Sequence, residues 1–240
     1  VLRPIHLCLL TALGFLAAVA AARADDFAAS IVRIRAVAGD GTTKFGSGVV
    51  IEPGRIATAC HVTRSSRTIE ILLGEKRWIA QSASGSPLHD LCVLHVPDVD
   101  VPAARIRGTQ ELRPGERVIA AGFQGGGAEL VVGRGAVAAL YAYDDGLVIR
   151  TTAAFDFGSS GGGLFDEAGN LVGLLAFKAR AGDNLRFALP TEWLSPASVV
   201  AAAFTPIDAA SMTSAFWERT QGERPAFLGV AMREAASPRQ

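Results

Sequence analysis

Gly158-Ser159-Ser160-Gly161-Gly162-Gly163-Leu164 is the stretch on which the reading of this chain turns. A serine hydroxyl is a poor nucleophile near neutral pH unless a base sits beside it. Acyl chemistry also needs donors aimed at the oxyanion that forms on the attacked carbonyl. Glycines on either side of a serine let the backbone take conformations that other residues resist, so that successive N–H groups turn into one pocket. Taken alone, the run also reads as a flexible Gly/Ser turn.

The run fits G-x-S-x-G, the nucleophile elbow of α/β-hydrolases, and two observations exclude that fold. The elbow requires a helix directly after the serine, and three consecutive glycines are poor helix material. That architecture also places its histidine after the nucleophile, and no histidine follows His95 here.

The base must therefore be His61, His89 or His95. His61 ends Ile56-Ala57-Thr58-Ala59-Cys60-His61, a strand end from which a side chain can face a cleft. His89 and His95 flank an apolar run and read more simply as surface or satisfied residues. A third member must orient the imidazole and stabilise its charged form. Asp90, opening Leu91-Cys92-Val93-Leu94, is the best placed; Asp98 and Asp100 sit in a Pro-flanked loop and read as solvated turn residues.

Working outward, residues 30–187 consist of short apolar runs punctuated by Gly, Pro, Asp and Asn, as in Gly48-Val49-Val50-Ile51 before Glu52-Pro53-Gly54. Such lengths suit strands of an all-β protein. A stretch of mixed character, Pro97 to Pro114, divides the region into two β units, placed at residues 25–105 and 106–195. Beyond Pro190 the character turns helical, at Thr191-Glu192-Trp193-Leu194, at residues 196–201 and at about 212–219. Residues 196–240 are read as a helical or irregular extension.

Residues 1–24 have a basic start at Arg3, an apolar run and a closing Ala22-Arg23-Ala24, the pattern of a cleavable secretory signal. The expectation is an exported protein, periplasmic or secreted, with no membrane attachment once the signal is removed. Loss of Arg3 and Arg23 with the leader tips a chain of 23 basic and 23 acidic residues only slightly acidic. No basic block points to nucleic acid. No metal or cofactor signature is present. Of the three cysteines, Cys8 leaves with the leader, and Cys60 and Cys92 remain.

Gly46-Ser47-Gly48-Val49-Val50, Thr58-Ala59-Cys60-His61-Val62, His89-Asp90-Leu91-Cys92-Val93-Leu94 and Gly158-Ser159-Ser160-Gly161-Gly162 together resemble the successive motifs of trypsin-like serine proteases. They are most similar to the bacterial HtrA (Deg) branch, which the strand Phe187-Ala188-Leu189-Pro190 also resembles. The resemblance implies two six-stranded antiparallel barrels with a His61–Asp90–Ser160 triad in the cleft between them. It also implies an oxyanion hole made by the N–H groups of Gly158 and Ser160. Ser159 stands where that branch usually has Asn. HtrA proteins normally continue into a PDZ domain, and Leu228-Gly229-Val230 resembles only the start of one.

The function expected is a serine endopeptidase acting on protein or peptide substrates. The alternatives are an inactive binding module on the same fold and an esterase. Because each remaining cysteine lies within two residues of a triad member, and triad members converge, a Cys60–Cys92 disulfide is expected. In trypsin-like enzymes the residue six before the nucleophile floors the specificity pocket. Here it is Ala154, and with Phe155 crowding it the expectation is a shallow apolar pocket. Ala176, Phe177 and Lys178 would supply a wall and backbone that pairs with substrate, and Asp156 is the counter-candidate for a charged floor.

Overall fold

The computed structural model describes residues 26–86, 89–178, 185–195 and 233–234. The expected leader, the helical stretches beyond residue 195 and the Leu228-Gly229-Val230 segment lie outside them. The described chain is mostly β.

The first seven strands are β1 (Ile31–Ala38), β2 (Thr43–Glu52), β3 (Arg55–Ala59), β4 (Ser66–Leu73), β5 (Lys76–Ile79), β6 (Ser82–Ser86) and β7 (Leu91–His95). They form one antiparallel sheet in the order β5-β4-β1-β2-β3-β7-β6. The sheet curls until its edges meet, because β5 and β6 are separated by Ala80 and Gln81 alone. The Ala80 N–H still bonds the Ile69 carbonyl of β4, and the next N–H, of Gln81, bonds the His95 carbonyl of β7. One bent strand thus serves both edges, and counted once it makes a six-stranded barrel.

The next strands are β8 (Arg117–Phe123), β9 (Leu130–Tyr143), β10 (Gly146–Thr151), β11 (Gly163–Asp166), β12 (Leu171–Lys178) and β13 (Arg186–Pro190). They close directly, in the order β10-β13-β12-β11-β8-β9 with β9 pairing back to β10. The short β14 (Arg233–Glu234) adds to β9. Between the barrels, the Ala104 N–H bonds the Val50 carbonyl and the Arg107 N–H bonds that of Leu171, so the linker is stitched first to one barrel and then to the other. Arg107 ion-pairs with Glu116 and Asp166, and these partners, Glu116 foremost, hold its guanidinium above its ordinary pKa.

The near-continuous apolar runs follow from burial on both strand faces. Along β2, Val50 enters the first barrel's interior with Ile34, Ile56 and Leu94, while Val49 and Ile51 face a core shared with the other barrel. Along β8, Val118 and Ala120 fill the second barrel, while Ile119 and Ala121 face the shared core. The period-2 alternation therefore sorts one apolar set from another instead of apolar from polar. The shared core joins the barrels.

Thr191–Leu194 forms one 3₁₀ turn that buries Trp193 in the shared core. That short turn is the described part of the helical segment expected after Pro190.

Candidate active site

β3 and β7 are antiparallel neighbours with Ala59 opposite Leu91. His61 follows β3 by two residues and Asp90 precedes β7 by one, so pairing alone brings them to the same barrel end. A one-turn helix, α1 (Cys60–Thr63), turns His61 outward. Three hydrogen bonds then join the segments. The Cys60 N–H donates to the Asp90 carbonyl at 3.0 Å. The His61 N–H donates to Asp90 Oδ1 at 2.8 Å, and His61 Nδ1 lies 2.6 Å from Oδ2. Asp90 is buried and has φ +52°, the left-handed region that Asp and Asn tolerate better than most residues.

Cys60 and Cys92, the residues next to this junction, are bonded, with Cα atoms 4.9 Å apart. Their sequence separation is 32. Opening a loop of that length should cost about 3–4 kcal/mol in the chain-entropy account. The measurement is thiol titration of a chain starting at Asp25, denatured without reductant. No free thiol is expected, and two per chain would overturn the bridge.

His89 is adjacent to Asp90 in sequence and engaged elsewhere. Its ring bonds Ser86 Oγ at 3.0 Å and Asp144 Oδ2 at 2.6 Å, and stacks on Trp193 at 4.1 Å between centroids. His95 is exposed on β7 opposite Arg55, and Asp100 ion-pairs with Lys76. Of the three histidines considered, His61 is the one held by Asp90.

Ser160 lies on the turn leading into β11, and the turn is pinned plane by plane. The Phe157 carbonyl accepts from the Gly125 N–H at 2.8 Å, and the Gly158 carbonyl from Ser47 Oγ at 2.9 Å. The Ser159 carbonyl accepts from the Gly162 N–H, and the Ser160 carbonyl from the Ser47 N–H, each at 2.8 Å. On the donor side, Ser159 N–H bonds Asp156 and Gly161 N–H bonds Leu175. Among the described residues, the N–H groups of Gly158 and Ser160 have no acceptor. The two uncommitted donors thus alternate with committed ones across the serine.

Two glycines are required here by space as well as conformation. Gly158, at φ +91°, would set a Cβ 2.7 Å from Gly125 N. At Gly161, φ +82°, a Cβ would come within 2.3 Å of Ser47 O and Thr58 Oγ1 on the first barrel.

A Cβ at Gly46 would meet Val62 Cγ1 at 2.5 Å and the Ser160 carbonyl at 3.2 Å. The residue beside His61 and the carbonyl of Ser160 therefore rest on the same point of β2. Ser160 Oγ donates to the Ala176 carbonyl at 3.0 Å instead of to His61. Ala176 occupies a register shift between Leu175 and Phe177 in the β12–β13 ladder, which leaves that carbonyl to the cleft.

The expected pocket residues separate. Ala154 is exposed, and its backbone packs on β9, where a Cβ at Gly133 would lie 1.9 Å from its carbonyl oxygen. Phe155 is buried, and its ring lies in the core of the second barrel with Ile149 and Leu164. The cause is strand-like alternation, with Ala153 and Phe155 inward and Ala154 and Asp156 outward. Asp156 Oδ1 accepts the Phe157 N–H. Ala176 is buried, and Phe177 and Lys178 contribute the backbone of β12 opposite Phe187 and Arg186.

Sequence reasoning did not single out Ser47 and Gly125 for the site. The Gly-Ser-Gly pattern at residues 46–48 marked the first; nothing local marked the second.

The family described as trypsin-like peptidase domain matches residues 46–174, just over half of the chain. A probable periplasmic serine endoprotease, DegP-like, from Marinomonas sp. (strain MWYL1) is 30% identical over 159 residues, covering 62% of this chain and 34% of that protein. A DegP-like counterpart from Pseudomonas savastanoi pv. phaseolicola is 32% identical over 160 residues, covering 63% and 33%. The chain thus spans about a third of the length of these curated relatives. Among solved structures, the HtrA-type protease AlgW with a tripeptide superposes with TM-score 0.62 at 30% identity, covering 72% of this chain and 59% of the other. The active form of the Rv3671c protease from M. tuberculosis superposes with TM-score 0.66, covering 73% and 83%, and at 24% identity that likeness speaks for the fold.

Proposed function

Since this chain belongs to the trypsin-like peptidase family, we propose that it is an exported serine endopeptidase with Ser160 as nucleophile, His61 as general base and Asp90 as the group that orients His61. The observation that carries the proposal is the pair of uncommitted N–H groups, Gly158 and Ser160, on either side of Ser159 in a turn pinned at each carbonyl from Phe157 to Ser160.

Substrate enters extended along β12, as an added strand. Its N–H takes the Ala176 carbonyl and frees the Ser160 hydroxyl to turn to His61 Nε2. Ser160 Oγ then attacks the scissile carbonyl while its proton passes to Nε2, and the oxyanion settles on the N–H groups of Gly158 and Ser160. The C–N bond breaks as His61 returns the proton to the departing amine, leaving an acyl-enzyme on Ser160. Water attacks that ester, giving a proton to His61, and the collapse returns it to Ser160 and releases the acid. Asp90 holds His61 in the tautomer with hydrogen on Nδ1, so that Nε2 is free to accept.

Export is supported by the leader pattern of residues 1–24 and by the periplasmic naming of the DegP-like relatives. No described helix is long and apolar enough to cross a membrane.

A fluorophosphonate probe tests the activity, because it reacts with an activated serine. Labelling of the native protein, mapped to the peptide carrying Ser160 and lost on denaturation, is expected. No labelling together with no cleavage of peptide or ester substrates would leave a binding module on this fold.

Specificity follows from Ala154, which offers a bound side chain no charge; a lone cation there would be buried without a partner. Cleavage after uncharged aliphatic residues such as Ala, Val or Ile is expected. Digestion of a mixed peptide library, read by mass spectrometry, measures it. Predominant cuts after Lys or Arg would place Asp156 or another acid at the pocket floor.

A further inference from the structure

We propose that the Ser47 side chain is a positioning group for the oxyanion turn, through which the N-terminal barrel holds the donors carried by the C-terminal one. This rests on the serine-peptidase reading above and adds to it a residue outside the triad.

Ser47 lies on β2, and none of its surface is exposed. Its backbone N–H donates to the Ser160 carbonyl at 2.8 Å, and its hydroxyl to the Gly158 carbonyl at 2.9 Å. The Ser160 N–H belongs to the peptide plane between those two carbonyls. Ser47 therefore grips the plane before it and the plane after it.

The hydroxyl has one proton, and the surroundings decide where it points. The Phe123 N–H donates to Ser47 Oγ at 2.8 Å, which fixes the acceptor side. The Phe123 carbonyl is 3.5 Å away, against 2.9 Å for that of Gly158, so the proton is aimed at Gly158. Thr58 Oγ1 anchors the Ser47 carbonyl at 2.7 Å. Every polar atom of Ser47 is thus engaged, two of them on the oxyanion turn.

Gly158 makes such a grip necessary. At φ +91° it sits where glycine alone is unstrained, and glycine also populates the opposite sign of φ readily. Without the bond to its carbonyl, the turn gains conformers in which its N–H groups leave the cleft. Binding of the trigonal substrate depends little on those donors. The tetrahedral transition state depends on them strongly.

Ser47→Ala removes the hydroxyl and keeps the backbone bond to Ser160. Ser47→Cys fills the position with a somewhat larger group that is a much weaker donor. Each variant and the wild type are titrated to completion with fluorophosphonate, so that rates are expressed per reactive serine. Then kcat, KM and the inhibition constant of a peptide aldehyde matched to the substrate are measured. Removing a direct oxyanion donor costs about 100- to 1,000-fold in kcat, so a group acting one bond further out is expected to cost about 10- to 100-fold. For Ser47→Ala we expect that loss in kcat, little change in KM, and weakening of the aldehyde in step with kcat/KM. Ser47→Cys should lie close to Ser47→Ala.

Fewer titratable sites with unchanged kcat and aldehyde affinity per site would mean a merely structural role and overturn the proposal. Full activity in Ser47→Cys would assign the effect to volume and overturn it equally. A wild type that neither labels nor cleaves defeats the peptidase reading and this inference with it; an active wild type matched by Ser47→Ala defeats the inference alone.

Discussion

Ser160→Ala is expected to abolish fluorophosphonate labelling and to lower kcat for peptide hydrolysis on the order of a million-fold, with His61→Ala costing a similar factor. The double variant should be scarcely worse than either single one, because nucleophile and base act as a unit and their losses do not add. Ser159→Ala is the internal control. Ser159 is buried, and among the described residues its hydroxyl has no hydrogen-bond partner. Its backbone holds the turn, through the N–H to Asp156 and the carbonyl from Gly162. Alanine preserves both bonds and removes a buried polar group that gains nothing from being there. Ser159→Ala should therefore keep activity within a few-fold of wild type. Labelling that survives Ser160→Ala, or equal losses from the two serine variants, would remove Ser160 from the nucleophile's place.

The β architecture is legible in the sequence because short apolar runs end in turn residues, as Glu52-Pro53-Gly54-Arg55 ends the β2 run and opens β3. The pairing of His61 with Asp90 is legible because histidines are few and none follows the serine proposed as nucleophile. What closes the first barrel is not. Ala80-Gln81 carries no turn residue, since the chain there continues extended and changes only the strand it bonds to. The burial of Phe155 follows a strand-like alternation that also turns Ala153 inward and leaves Ala154 and Asp156 exposed. Ser47 and Gly125 act on the turn from far along the chain, Ser47 at a sequence separation of 111 from Gly158. The Ser47 contact depends on how two barrels dock and the Gly125 contact on how the second barrel folds back on itself, and no local pattern encodes either. His89 shows the same limit from the other side. Its place beside Asp90 makes it a rival base in sequence, and its partners Asp144 and Trp193 come from the second barrel.

Asp90→Asn is expected to lower kcat about 10,000-fold at neutral pH while leaving the fold intact. The carboxylate has two tasks here, since Oδ1 accepts the His61 backbone N–H and Oδ2 faces His61 Nδ1. In Asn the amide oxygen can keep the first bond, and the amide nitrogen then faces Nδ1 as a donor. The imidazole must answer with a bare Nδ1, which moves its proton to Nε2 and leaves nothing to accept the Ser160 proton. The positive φ of Asp90 makes Asn the informative choice. Asn, like Asp, tolerates the left-handed region, whereas Ala there adds a backbone cost of about 1–2 kcal/mol to the loss of the carboxylate. Asp90→Asn should therefore unfold close to the wild-type temperature, and Asp90→Ala several degrees lower. Steady-state kinetics and thermal unfolding on the three proteins separate the effects. Substantial activity in Asp90→Asn would mean that the carboxylate serves the barrel end and not the tautomer of His61, and His61 would need another orienting group.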